Sequence, residues 1–174
     1  MEQPKKNFKI VGNKKTRVIL PNILTLVGVC IGLSSIKFAF DEKFTLSIIA
    51  IIVAAIIDGL DGRIARLIQG TSKVGKELDS LTDVISFGVA PAFIMYFWKL
   101  NELGRAGWLI CLVYVMCVAL RLARFNVNSG KDPSWQDNFF EGIPSPGGAG
   151  LVILPLILHK SEIYNFDHYR FFNT

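Results

Sequence analysis

The chain is short of charge. Asp, Glu, Lys and Arg make up 19% of its 174 residues, whereas a soluble domain is usually about a quarter charged. The shortage is concentrated: no charged residue occurs from Phe44 to Ile57 or from Val84 to Trp98. With 51% hydrophobic residues and a mean hydropathy of +0.42, such runs exclude an ordinary globular core. A membrane-spanning helix needs roughly 20 mostly apolar residues, and several segments approach that length. Cysteine is scarce as well. Cys30, Cys111 and Cys117 lie inside apolar runs without metal-ligand spacing, so they read as small buried hydrophobes. No aromatic-and-basic reading surface follows the basic N-terminus, which argues against a nucleic-acid partner. No small-residue cleavage site ends the first apolar run, so the basic segment is expected to be retained rather than removed as a signal peptide.

What is present is an all-α, polytopic transmembrane helix bundle within a single domain. Residues 1-20 read as a basic cytoplasmic juxtamembrane segment, 21-160 as the transmembrane domain, and 161-174 as a polar and aromatic tail. Pro21 suits the first turn of a helix, where its missing N–H costs nothing. Helices are expected over about 21–40, 44–68, 74–100 and 106–125, with a fifth starting near Leu151. That fifth helix is too short to span unless it continues through His159, Lys160 and Glu162. With the N-terminus inside, thirteen basic residues lie at inner ends and four (Lys37, Lys43, Lys99 and Arg105) at outer ends. The count leaves aside Lys160 and Arg170, which follow the fifth helix. Such a bias sets orientation, with the lipid bilayer itself as a partner.

Against this background, residues 58–83 carry four aspartates. Asp58 and Asp61 are three positions apart and Asp79 and Asp83 four, so each pair shares one helical face. A short link joins the two helices, which lets the faces meet at the inner boundary. Each acidic residue in a spanning helix costs about 2.5–3.5 kcal/mol on insertion scales. Two divalent cations would balance four carboxylates, and hard oxygen ligands suit Mg²⁺ or Mn²⁺. The rival reading pairs the aspartates with Arg63, Arg66, Lys73 and Lys76 on a solvated face. Gly59, Gly62 and Gly75 are interleaved with the acids. They permit close helix packing, or close approach of a phosphate or nucleotide to the backbone.

The spacing Asp58-x2-Asp61-Gly62-x2-Ala65-Arg66-x8-Gly75-x3-Asp79-x3-Asp83 resembles the signature of the CDP-alcohol phosphotransferase family at all eight of its fixed positions. Pro21-Asn22 with Thr25 opens the first helix as in that family. The resemblance implies a six-helix, usually dimeric membrane domain with a cytoplasm-facing dinuclear metal site. Only five helices are visible, so a sixth is expected beyond a truncated C-terminus. It also implies that Asp58, Asp61, Asp79 and Asp83 hold metal, with Asp83 also the general base. Gly62, Ala65, Arg66, Gly75 and Thr25 are then expected at the CDP-lipid site. The stretches 79–92, Arg121 to Asn126 and Gly142 to Pro146 are similar to bacterial members that use L-serine as acceptor and CDP-diacylglycerol as donor. Localisation in the bacterial inner membrane is expected with them. Arg124 and Asn126 are candidate acceptor-binding residues, and the loop at Gly142 to Pro146 is expected near the acceptor. Glycerol 3-phosphate or inositol as acceptor would keep the same chemistry. A membrane prenyltransferase would carry two separated Asp-rich motifs. A divalent-cation transporter would place acids at several membrane depths, and here they gather at one end.

Overall fold

The computed structural model describes residues 14–67, 73–128 and 143–172, with side chains described for residues 21–64, 67, 74–127 and 143–162. What the sequence predicts for residues 1–13, 68–72 and 129–142 therefore lies outside the described residues, as do the expected roles of the Ala65 and Arg66 side chains.

The described backbone is helical. α1 spans Lys14–Phe40 and α2 spans Phe44–Leu67. The third rod is compound: α3 (Lys73–Asp83), a π-helical turn (Val84–Val89) and α4 (Ala90–Trp98) follow without a break. After a 3₁₀ turn at Leu100–Leu103 come α5 (Arg105–Asn128) and α6 (Ser145–Phe172). Four stretches are long and apolar enough to cross a membrane: Pro21–Phe40, Phe44–Ile64, Val74–Trp98 and Arg105–Val127.

Two features differ from the sequence reading. The first helix begins at Lys14, so Pro21 sits inside it rather than in its first turn. A proline there withholds an N–H from the carbonyl four residues earlier, yet the helix runs through. The fifth helix does continue past His159, Lys160 and Glu162, and runs on to Phe172 through most of the stretch expected as a tail.

Small residues let the rods approach. Ala39, Ile51, Ala90, Ile94, Ile153 and Leu156 form one buried cluster joining α1, α2, α4 and α6. Ala54, Phe87 and Ala149 form a second. Gly32 of α1 lies so close to the π turn that a Cβ there would come within 2.5 Å of Ser86 Oγ and 3.1 Å of its Cα. Buried hydroxyls are satisfied on backbone carbonyls, as membrane helices require: Ser47 donates to Ser35 O at 2.7 Å and Ser35 to Gly32 O at 2.6 Å. Pro91 cannot donate to the Phe87 carbonyl, and the Tyr114 hydroxyl of α5 does so instead at 2.9 Å. That bond ties α5 to the π turn that follows Asp83. The outward faces stay apolar, as at Leu109, Val113, Met116 and Leu120 of α5.

Candidate active site at the acidic end of the bundle

α2 carries Asp58 and Asp61, and α3 returns beside it with Asp79 and Asp83. One carboxylate oxygen each from Asp58, Asp61 and Asp79 lies within 4.8 Å of the others. Oxygens on opposite sides of one Mg²⁺ are about 4.2 Å apart, twice the usual bond length. The three are therefore close to ligand spacing. Their burial is graded: Asp61 is buried, Asp58 half-buried and Asp79 exposed. Asp83 lies one turn further along α3, with its carboxyl near those of Asp58 and Asp79. Its Oδ1 is buried without a hydrogen-bond partner.

A cluster of this kind, made of hard oxygen donors with an orphaned buried acceptor, fits a divalent cation. The alternative pairing with basic residues is not seen at Arg63 or Lys76. Among the described residues, the ion pairs are Lys37–Asp41 and Lys99–Glu102. The side chains of Arg66 and Lys73 lie outside the described residues. Like charges left this close in a poorly hydrated setting repel strongly, so the arrangement favours a bound cation.

Other helices supply the surround. Thr25 of α1 is buried, and its hydroxyl reaches Asp61 Oδ2 at 2.8 Å and the Pro21 carbonyl at 2.9 Å. One hydroxyl hydrogen serves both acceptors. Thr25, expected at the CDP-lipid site, thus orients an acidic side chain. The glycines divide by surroundings. A Cβ at Gly59 or Gly62 would meet nothing within 4 Å, so close helix packing does not explain them. Gly62 presents bare backbone to open space beside Asp61. Gly75 lies on α3, half-buried and with a partner.

From α5, Asn126 Nδ2 donates to Ser80 Oγ at 2.9 Å, one residue beyond Asp79, whereas Arg124 is exposed. The arginine that reaches the acidic end is Arg121. Its Nη1 donates to Ser145 Oγ at 3.1 Å, and its Nε is buried without a partner. Neither Ser145 nor Arg121 is among the site residues expected from the sequence. The available signals were a serine between two prolines at a helix start and an arginine in a largely apolar helix.

The chain is 46% identical over 137 residues to the CDP-diacylglycerol–serine O-phosphatidyltransferase of Mycobacterium leprae, covering 78% of this chain and 45% of that protein. The protein of the same name from Helicobacter pylori strain 26695 is 41% identical over 148 residues, covering 85% of this chain and 60% of it. That of Bacillus subtilis is 35% identical over 136 residues, covering 78% of this chain and 74% of it. The chain spans about half the length of the first of these relatives. Residues 18–171, which include every helix end that builds the acidic site, match the CDP-alcohol phosphatidyltransferase family, and the chain belongs to that family.

Proposed function

We propose that this chain transfers a phosphatidyl group from CDP-diacylglycerol to L-serine, forming phosphatidylserine and releasing CMP. The observation that carries the reading is the convergence of Asp58, Asp61 and Asp79 near the buried, unpartnered Oδ1 of Asp83. The names of the similar proteins support serine as the acceptor.

Asp58, Asp61, Asp79 and Asp83 would hold one or two Mg²⁺ or Mn²⁺ ions. Bound there, the cation supplies charge stabilisation for the phosphate oxygens and the leaving CMP. The chain's own groups do the rest. Thr25 fixes the Asp61 carboxylate by its hydrogen bond. Gly62 leaves room for the diphosphate against the backbone of α2, with Ala65, Arg66 and Gly75 lining the same CDP-lipid site. Asp83 takes the proton of the serine hydroxyl as that oxygen attacks the lipid-bearing phosphorus. The new O–P bond replaces the P–O bond to CMP, and the proton stays on Asp83 until it is lost to solvent. Arg121 and Arg124, with Asn126, form the positive end of α5 that would receive the serine carboxylate. A guanidinium is suited to that planar anion.

The basic-residue bias supports an active site facing the cytoplasm at a bacterial inner membrane, and family likeness supports a homodimer. The testing experiment is CMP release by the purified chain from CDP-diacylglycerol with Mn²⁺ or Mg²⁺ and a panel of acceptors. Serine alone should support release. Release only with glycerol 3-phosphate or inositol would overturn the acceptor, and no release with any would overturn the transfer.

A further inference from the structure

The rod that carries Asp79 and Asp83 serves two faces. Asp79 brings its carboxylate to those of Asp58 and Asp61, and Asp83, four residues on, shares its helical face. Ala90 and Ile94, further along, enter the buried cluster with α1, α2 and α6. In an unbroken α-helix Asp83 and Ala90, seven residues apart, would lie on one face. The π turn at Val84–Val89 separates them, with Ala90 N donating five residues back to Ile85 O. One residue taken up in this way turns one face against the other by about 100°, a single residue's share of a 3.6-residue turn. The end of the turn is its weak point, because Pro91 has no N–H to give the Phe87 carbonyl. α5 supplies a donor. Tyr114 is half-buried, and its hydroxyl donates to Phe87 O at 2.9 Å. One turn along α5, Val118 stands over Gly88, where a Cβ would come within 3.3 Å of its Cγ1. α5 thus meets the π turn once by a hydrogen bond and once by packing alone.

From this geometry we infer that Tyr114 is a positioning residue for the acidic site: its hydrogen bond to Phe87 O locks the π turn, and the locked turn aims the acidic face of α3 at α2. The inference rests on the reading of the four aspartates as a divalent-cation site. In this role Tyr114 acts through the backbone that follows Asp83 rather than on the cation itself. A residue that only packed α5 against the turn would need the ring and not the hydroxyl.

The test compares the full chain with Tyr114→Phe, which keeps the ring, and with Val118→Ala, which thins the packing and keeps the hydrogen bond. Phe precedes Gly only at Phe87–Gly88, and Asp precedes Val only at Asp83–Val84. Isotope labelling of the Phe carbonyl carbon with the Gly nitrogen, and of Asp with Val in the same way, therefore isolates each peptide as one NMR signal. In Tyr114→Phe the Phe87 carbonyl should move upfield as its donor is lost, and the Asp83 carbonyl should move with it. Mn²⁺ affinity of the metal-stripped chain should fall about 10-fold, the lower end of the range for losing a group that orients metal ligands. Val118→Ala should leave the Asp83 carbonyl in place and Mn²⁺ affinity close to that of the wild type. An unmoved Phe87 or Asp83 carbonyl in Tyr114→Phe, an unchanged Mn²⁺ affinity, or an equal loss in Val118→Ala would overturn the inference. If the wild-type chain binds no Mn²⁺, the metal reading fails, and the Asp83 carbonyl still decides whether Tyr114 holds the acidic face.

Discussion

The two ends of the bundle treat charge in opposite ways. At the end where α1 meets α2 and α4 meets α5, ionised groups pair with near neighbours, Lys37 with Asp41 and Lys99 with Glu102. Between them aromatic rings pack edge to face: Phe40 on Phe97 at 5.6 Å, Phe93 on Trp108 at 5.9 Å and Tyr96 on Trp108 at 5.5 Å. Aromatic girdles of this kind suit a membrane–water interface. At the other end four aspartates converge without an ion pair among the described residues, and two buried polar atoms, Asp83 Oδ1 and Arg121 Nε, lack partners. A buried unmet donor or acceptor costs about 1–3 kcal/mol, a cost that binding of a ligand at this end would recover.

The contrast can be broken hardest at Asp83. Asp83→Asn should lower turnover by about 10²–10⁴-fold, the usual worth of a general base, while CDP-lipid binding falls far less. Kinetics alongside a direct binding measurement check this, and equal losses would make Asp83 a ligand only. Thr25→Val keeps shape and removes the hydrogen bond to Asp61. It should cost about 10–100-fold in metal affinity or activity, read by Mn²⁺ titration of the purified chain.

A pair of glycines sharpens the comparison further. Gly32→Ala places a Cβ against Ser86 backbone and should destabilise the fold by about 1–3 kcal/mol, seen as a lower thermal midpoint. Gly62→Val faces open space and should cost about the few tenths of a kcal/mol typical of surface changes, while raising KM for the CDP-lipid. A folding defect at Gly62 would return that glycine to helix packing. The smallest effect is expected at the paired end. Lys99→Met removes an exposed ion pair worth about 0–1 kcal/mol and should leave CMP release untouched.

Much of this was legible in the sequence because the membrane makes charge conspicuous. An uncharged run fixes a spanning helix, so the four apolar rods were readable from Phe44, Val84 and their neighbours. Aspartates at spacings of three and four could share a face only on helices. Less legible were features set by contacts between distant elements. Pro21 offered no sign that α1 would begin seven residues earlier, because a proline is tolerated both at a helix start and within a membrane helix. The π turn after Asp83 meets Gly32 of α1 and Tyr114 of α5, which are distant from it in sequence. Arg121 and Ser145 are 24 residues apart in sequence, and their contact is fixed by how α5 and α6 pack. Arg124, nearer the polar segment, was the more visible arginine and is the more exposed one.

We propose that Asp58, Asp61, Asp79 and Asp83, which form no ion pair among the described residues, hold a divalent cation. Mn²⁺ binding to the purified, metal-stripped chain, followed by electron paramagnetic resonance, tests it directly. The wild-type chain should bind Mn²⁺ with loss of the free-ion signal, and Asp61→Asn should bind it far more weakly while remaining folded. Equal binding by the two, or none by the wild type, would contradict the account.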